Sequence, residues 1–456
     1  MISAGKIQKI GIFILVMFWI PVSGQFSLIV AAKQDENPNG IVSGNNEFAL
    51  NLYTRLKDYP RIKAADGNLF FSPYSISTAF AMIYSGARGN TAKQIADVLH
   101  FPAVGYEQIA AGFGVLQDQL QAHPEAAGYQ LNLADSLWGQ KGYDFLPEFI
   151  DLNKKYFDAG LSELDFIQQP EEARKTINVW VEEHTKEKIK ALIPPGTIDD
   201  LTRLILTNAI YFKGNWVIPF KEENTKPADF NVTEEKRIGV QMMYQKEKCK
   251  YAQTDDAQLL QIPYGLDEGS MLIMQISRES GNENTYGYSE AGKLTKEQLQ
   301  ELPQLSMLII LPRSVGDLDS IEKKLNPQTL QSYTQQMKEQ EVKVYLPKFK
   351  MTCETIELKD LLIVMGMKDV YKPGAADFSG TSRQKDLFIS NVLHKTYVEV
   401  NEKGTEAAAA SALRMSIGLN EPPPPIFRAD RPFVFMIRDN KTDIILFMGR
   451  LVNPSL

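Results

Sequence analysis

The sequence is poor in the residues that build covalent or metal-based sites. Of its 456 residues only two are cysteines, Cys249 and Cys353, and only four are histidines. Two thiols cannot form a disulfide framework, and four imidazoles leave little for a multi-ligand metal site. The chain also lacks a His-Glu-x-x-His helix, a Cys-x-x-Cys pair, a P-loop and a Gly-x-Ser-x-Gly elbow. We therefore expect no cofactor and no enzyme activity.

Cys249 and His184 are single residues whose side chains could be reactive. Cys249 lies between Lys248 and Lys250, and neighbouring lysines lower the pKa of a thiol, although a lone cysteine among lysines is usually incidental. His184 shares a helical stripe with Ile177 and Val181, which predicts a histidine packed in the core. Neither pattern indicates a catalytic group.

No charge of one sign dominates. Lys and Arg number 49 against 56 Asp and Glu, which gives a net charge of −7 and argues against a nucleic-acid binder. The stretch 94–140 contains no Lys or Arg at all. Hydrophobic residues at 44% and charged residues at 23% are typical of a globular chain. Length alone suggests about three domains, but no linker rich in Pro, Gly or Ser divides the chain.

The one long apolar run stands at the N-terminus, where Lys6 and Lys9 precede residues 10–20 and Pro21 interrupts the run. A charged start, a short apolar segment and small residues after it predict a secretory signal over residues 1–32, cleaved after Gly24 or Ala32. An uncleaved anchor is the alternative, but a spanning helix needs about 20 apolar residues. We expect a secreted, extracellular or periplasmic protein with a polar, flexible lead-in over 33–45.

Periodicity predicts an α+β fold. Helical spacing is most frequent in the first third, whereas residues 342–346, 396–400, 433–437 and 444–451 read as strands. The nearly continuous apolar run 204–212 predicts a strand buried on both faces.

The stretch 402–412 (EKGTEAAAASA) is unusual for a globular chain. Its alanines favour a helix by propensity, yet it directly continues a predicted strand and has no apolar stripe. In an extended form Thr405, Ala407, Ala409 and Ser411 share one face. A strand with only small side chains on its inner face can enter a dense core without overpacking it.

These features resemble the serpin family. The resemblance rests on four motifs in order: NLFFSPYSI (68–76), NAIYFKGNW (208–216), the hinge EKGTEAAAA (402–410) and FRADRPFVF (427–435). It implies one domain over 46–456 with three β-sheets and about nine helices, and an exposed reactive-centre loop at 402–425. It also implies a monomeric inhibitor that traps a serine protease when the cut loop inserts into the large sheet.

Two other functions within the family stay open at this point. A non-inhibitory carrier or chaperone typically has bulky or charged hinge residues, which this hinge lacks. Inhibition of a cysteine protease is compatible with the loop sequence.

The resemblance also implies roles for individual residues. Gly404 permits the bend where insertion begins, and Trp216 matches the top of the sheet, called the breach. The polar cluster under the opening strands, called the shutter, includes His394, which is expected to hydrogen-bond Asn208. The implied hinge residues are Glu402, Gly404, Thr405, Ala407, Ala408, Ala409 and Ala410, and the implied shutter residues are Ser72, Ser75, Asn208 and His394.

The family spacing places the reactive bond at Gly418–Leu419, with Ile417–Gly418 and Leu419–Asn420 as alternates. Small and apolar residues there favour an elastase- or subtilisin-like serine protease. Two features depart from the family: the polar insertion near 278–304, and the missing cations in 94–140, from which we expect no heparin site in that region.

Overall fold

The computed structural model describes residues 38–64, 67–121, 128–265, 305–353, 355–384, 386–405 and 422–454. These residues belong to one compact unit that begins at Glu36. No helix among them is both long and apolar enough to cross a membrane.

Ten α-helices form in the described part of the chain, and several begin at sequence signals. Ser72 caps the third helix with its side chain, and Pro73 follows at the first helical position. The helices are α1 (Asn39–Leu56), α2 (Pro60–Ala64), α3 (Pro73–Tyr84), α4 (Gly89–Leu99), α5 (Tyr106–Gln121), α6 (Pro147–Phe157), α7 (Pro170–His184), α8 (Leu318–Lys324), α9 (Pro327–Gln336) and α10 (Lys359–Met365).

The described residues also form seventeen β-strands. They are β1 (Leu69–Phe71), β2 (Tyr129–Gln140), β3 (Leu161–Leu164), β4 (Leu204–Asn215), β5 (Lys226–Asn231), β6 (Arg237–Gln253), β7 (Ala257–Pro263), β8 (Leu305–Pro312), β9 (Lys338–Pro347), β10 (Phe349–Thr352), β11 (Ile356–Glu357), β12 (Leu393–His394), β13 (Tyr397–Val400), β14 (Gly404–Thr405), β15 (Ile426–Arg428), β16 (Phe433–Asp439) and β17 (Ile445–Leu451).

The largest sheet has nine strands in the order β1-β17-β16-β8-β7-β6-β9-β15, with β5 paired to β6. Two strands in the middle of this sheet, β8 and β16, are mostly apolar and are buried along their whole length. Phe70 of β1 stacks on Phe447 at 5.1 Å and on Phe435 at 5.7 Å, which joins both ends of the sequence in one core. The C-terminal strands predicted from the sequence are therefore confirmed as central strands of this sheet.

A second sheet has four strands in the order β14-β4-β2-β3. Two short ladders, β10–β13 and β11–β12, complete the strand pairing, and no described residue hydrogen-bonds β4 directly to β13. The α+β fold class is confirmed. The described residues form four hydrogen-bonded sheets instead of the expected three, because the ladders containing β12 and β13 are not joined to β4.

The lead-in predicted over 33–45 was wrong from residue 39 onward, where α1 begins. Ile41 and Val42 are buried, and a Cβ at Gly44 would lie 2.2 Å from the carbonyl oxygen of His100. Burial of this turn against α4 stabilises a helix that the polar composition did not predict. The insertion at 278–304 and the signal at 1–32 lie outside the described residues.

Candidate functional site

A two-residue turn joins β13 to β14 at one end of the four-stranded sheet. The Asn401 N–H donates to the Gly404 carbonyl at 2.8 Å, and the Gly404 N–H donates to the Asn401 carbonyl at 3.2 Å. Asn401 Oδ1 also accepts from the Lys403 N–H at 3.0 Å, which fixes the turn between them. The chain therefore reverses over Glu402 and Lys403 and enters the space beside β4.

Gly404 has a φ of +129°, which side-chain-bearing residues rarely adopt. A Cβ there would lie 2.2 Å from the Gly214 carbonyl oxygen and 2.7 Å from the Trp216 nitrogen. Both the backbone conformation and the close approach to β4 thus require glycine. The sequence predicted the first reason but not the second.

Trp216 is fully buried and holds this turn from β4's side. Its indole N–H donates to the Asn401 carbonyl at 3.0 Å, and its backbone N–H donates to the Lys403 carbonyl at 3.0 Å. The ring stacks on Tyr264 at 4.5 Å. Trp216 therefore contacts the turn that precedes Gly404, while its assignment to the breach stays a prediction.

Glu402 is 5% exposed, and three groups from outside the loop hold it. Its carboxylate accepts from Lys348 Nζ at 2.8 Å and from Thr225 Oγ1 at 2.8 Å, while its carbonyl accepts from the Phe220 N–H at 2.8 Å. Burial alone would raise the pKa of Glu402, but the hydrogen bonds from Lys348 and Thr225 outweigh it and lower that pKa. The carboxylate anchors the start of the hinge as an anion.

After the turn, β14 pairs antiparallel with the free edge of β4. Gly404 lies opposite Asn215, and Thr405 lies opposite Gly214. Since β2 pairs with the other edge of β4 along its whole length, β14 occupies the position of a new strand between β4 and β13. The remaining predicted hinge residues, Ala407, Ala408, Ala409 and Ala410, lie outside the described residues. So do the predicted reactive-bond residues Ile417, Gly418, Leu419 and Asn420.

Further along the same gap, the predicted shutter residues meet under β12. His394 is buried, and its Nε2 accepts from the Ser72 N–H at 3.0 Å. Ser72 Oγ donates to the Leu446 carbonyl at 2.6 Å and accepts from the Ser75 N–H at 3.0 Å. Burial lowers the pKa of His394 to about 3, so the ring is neutral at physiological pH.

The structure thus joins His394, Ser72 and Ser75 in one cluster, whereas the predicted hydrogen bond between His394 and Asn208 stays a prediction. Asn208 lies in β4 opposite Asp135 of β2, and only its backbone is described. The buried Ser75 hydroxyl has no partner among the described residues.

A cavity of about 110 Å³ opens between the first residues of β4 and β12. One wall is α3, which contributes Ile76, Ala79, Phe80 and Ile83, and another is residues 204–207 of β4. His394 lines the opposite side. The cavity is mainly apolar, so an apolar side chain that entered it would be removed from water.

Neither Cys249 nor His184 has a catalytic environment. Cys249 is buried in β6, where burial first and the charges of Glu247 and Glu339 second raise its pKa to about 12. A protonated thiol is a poor nucleophile. The expectation of a core position for His184 was wrong, because its ring is exposed and stacks on Trp180 at 4.0 Å.

Lys348, Thr225 and Asn401 are site residues that sequence reasoning missed. Lys348 follows β9 and Thr225 precedes β5, so each reaches Glu402 only through the tertiary fold. Asn401 directly precedes the hinge motif, and an asparagine at the start of a tight turn was a usable signal.

Comparison with known proteins agrees with this geometry. The model of the serpin (serine protease inhibitor) family matches residues 43–302 and 281–454. Leukocyte elastase inhibitor from Xenopus tropicalis is 39% identical, over 90% of this chain and 99% of that protein. Uncleaved ovalbumin superposes with a TM-score of 0.73 at 30% identity, covering 91% of this chain and 100% of that one. A loop-inserted, cleaved ovalbumin mutant gives the same TM-score, identity and coverage. The chain therefore belongs to the serpin family, as a serine protease inhibitor of the inhibitory type and not an enzyme.

Proposed function

We propose that this serpin is a secreted suicide substrate that traps an elastase- or subtilisin-like serine protease by inserting its cut loop beside β4. The observation that carries the proposal is β14. Its two residues already pair with the free edge of β4, so insertion has a formed starting point.

The register of β14 predicts which loop residues follow. Gly404 opposite Asn215 and Thr405 opposite Gly214 mean that paired residue numbers add up to 619. If this register continues along the edge of β4 to Leu204, residues 406–415 would pair with β4 in the inserted state. Residues opposite each other in an antiparallel pair point to the same face.

The two faces of β4 pack in different layers. Ile210 and Phe212 face the main core, whereas Ala209 packs in a second cluster under α7. In the inserted state Thr405, Ala407, Ala409 and Ser411 would therefore point into the main core. The small side chains enter where the core is already dense, which is what strand insertion requires.

The same register carries two larger side chains to the cavity at the far end. Leu413 would lie opposite Leu206 and Met415 opposite Leu204, both facing α3. The cavity is lined by Leu204, Leu206 and the apolar face of α3. Insertion would fill this space, and burial of each side chain would add about 2 kcal/mol to the inserted state.

The covalent step belongs to the protease. Its serine oxygen attacks the Gly418 carbonyl, the Gly418–Leu419 bond breaks, and Leu419 leaves as a free amine that takes its proton from the protease histidine. Insertion through Met415 leaves a short tether to the ester at Gly418. The similarity to leukocyte elastase inhibitor supports an elastase-like target, as do the small and apolar residues at this bond.

Export is part of the proposal, together with action as a monomer. The family match begins at residue 43, so the apolar run 10–20 lies before it. N-terminal sequencing of the protein from a eukaryotic culture medium tests export: a mature end at Gln25 or Lys33 is expected, and an intact Met1 on retained protein contradicts it.

The trapping test incubates the purified protein with elastase, subtilisin, chymotrypsin and trypsin, followed by denaturing electrophoresis and sequencing of the released loop fragment. We expect a detergent-resistant complex with at least one protease and a new N-terminus at Leu419. Thr405→Arg is expected to give cleaved protein without complex, because insertion would bury an unpaired cation. Lys403→Arg, in the turn itself, is the matched control and should still form complex. Cleavage by every protease without any complex would contradict the proposed function.

A further inference from the structure

An aromatic and basic face lies on the nine-stranded sheet beside the point where the loop returns to the fold. Tyr244 of β6 lies opposite Tyr345 of β9, and the two rings contact with their centroids 4.8 Å apart and their planes tilted by 36°. Arg428 of β15 lies opposite Tyr345 on the other side, with its guanidinium 4.7 Å from that ring. The three side chains form one row across three strands, half-exposed to solvent.

Lysines extend this row along both strands. Lys246, Lys248 and Lys250 alternate along β6 on the face of Tyr244, and all three are exposed. Lys343 is on the same face of β9, opposite Lys246. With Arg428 the face has five cations. We call the group Tyr244, Tyr345, Arg428, Ile426, Lys343, Lys246, Lys248 and Lys250 the β6–β9 face.

The positive charge on this face is only partly neutralised. Glu339 and Glu341 are the carboxylates on the same face of β9, and Glu341 pairs with Lys246 at 2.6 Å. Arg428 pairs with Asp430 at 3.3 Å. Lys248, Lys250 and Lys343 make no ion pair with any described residue. A face with net positive charge on a chain of net charge −7 favours a partner that presents carboxylates.

We propose that the β6–β9 face is an exosite that contacts an acidic surface patch of the target protease beside its active-site cleft. This rests on the proposed function. Leu419 is seven residues from Ile426, so at most about 25 Å of chain separates the reactive bond from this face. A protease domain of about 230 residues has a radius of gyration of about 17 Å. The face therefore lies within the reach of a protease bound at the loop.

The composition favours a protein over a sulfated polysaccharide as the occupant. Tyrosine and arginine are enriched at the centres of protein interfaces, and Ile426 adds an apolar side chain that is 53% exposed. Two glutamates interrupt the lysines, whereas a linear polyanion binds best to an unbroken row of cations.

The test measures the association rate constant with the protease of the panel that forms complex fastest, at 20 mM and 300 mM salt. Lys248→Glu combined with Lys250→Glu is expected to lower the rate about tenfold at 20 mM salt and much less at 300 mM, because electrostatic steering is screened. Tyr345→Ala is expected to lower it at both salt concentrations. Lys141→Glu combined with Lys154→Glu is the matched control, because it changes the charge by the same amount. Lys141 follows the end of β2 that is remote from Gly214. The association rate constant of this control should not change.

The thermal midpoint and the ratio of complex to cleaved product should stay unchanged in the charge-reversed variant. An unchanged rate with a normal yield of complex, or a faster rate, overturns the exosite and leaves the trapping function intact. Acceleration by added heparin that depends on these lysines, with no rate loss in its absence, assigns the face to a polysaccharide and also overturns the proposal. Absence of complex with every protease instead overturns the proposed function itself.

Discussion

Replacing Gly404 with alanine is the sharpest test of how insertion begins. The residue has a φ of +129°, and an added Cβ would lie 2.2 Å from the Gly214 carbonyl oxygen. A side chain at such a φ costs about 1–2 kcal/mol. Relief of the contact requires β14 to separate from β4, which removes hydrogen bonds worth about 1 kcal/mol each. The total is about 3 kcal/mol.

By releasing β14 the uncleaved protein relieves the strain and loses only the hydrogen bonds of β14, whereas the inserted state must keep the turn against β4 and bears the full cost. We therefore expect a smaller loss of stability before cleavage than after insertion. Insertion should become slower by on the order of a hundredfold, since 1.4 kcal/mol corresponds to a factor of ten. Acyl-enzyme then has time to hydrolyse, and the variant should behave mainly as a substrate.

The assay is the ratio of covalent complex to cleaved protein on a denaturing gel, at several ratios of inhibitor to protease. Gly142→Ala is the matched control, because Gly142 also has a positive φ, +75°, but a Cβ there meets nothing within 4 Å. An unchanged ratio for Gly404→Ala would refute the reasoning. An equal loss of trapping in Gly142→Ala would show that the close approach to Gly214 is not the cause.

Three further predictions test other parts of the site and the fold. Leu413→Ala should reduce the gain in unfolding free energy after loop cleavage by about 2–4 kcal/mol. Arg414→Ala should not reduce this gain, because the register places residue 414 on the other face. Equal gains for the two cleaved variants in denaturant titrations would reject the register. Burial lowers the pKa of His394 to about 3, so below pH 6.5 the unfolded chain takes up a proton that the folded chain does not. Stability should therefore fall as the pH falls, by about 2 kcal/mol at pH 5. His394→Gln should flatten this pH dependence of stability, and a pH profile parallel to that of the unchanged protein would contradict the prediction. Glu322 is buried between Arg450 at 3.2 Å and Lys57 at 3.5 Å. Glu322→Ala should therefore lower the free energy of unfolding, measured in urea, by about 3–5 kcal/mol. Glu357→Ala removes an exposed ion pair with Arg61 at 3.9 Å and should lower it by less than about 1 kcal/mol.

The sequence predicted the parts of the site that depend on local composition. The apolar run at 204–212 marked β4, and the glycine at 404 marked a bend before the small residues. The need for glycine against Gly214, by contrast, depends on two strands that are distant in the chain. The same holds for the bonds from Lys348 and Thr225 to Glu402, which exist only after β5 and the end of β9 are in place.

The surroundings of His394 depend on the tertiary fold more than on the family resemblance. Its expected partner was a side chain in β4, but its described partner is the backbone N–H of Ser72, which caps α3. The first N–H groups of a helix lack partners within the helix, so a buried acceptor near one is readily used. The β6–β9 face was not predicted either, because only the strand register shows that side chains from three strands share one surface.

The loop has a fixed length between two anchors, at Thr405 on β4 and at Ile426 on β9. Full insertion would carry residue 415 about 34 Å beyond Thr405 along β4, ten residues at about 3.4 Å each. The eleven residues from 415 back to 426 span at most about 40 Å when fully stretched. An intact loop would thus have only about 6 Å to spare on the return path, before any sideways distance is added. Full insertion of an uncut loop would therefore require the return segment to stretch almost completely or β15 to leave β9, so the pairing of β15 with β9 opposes insertion before cleavage.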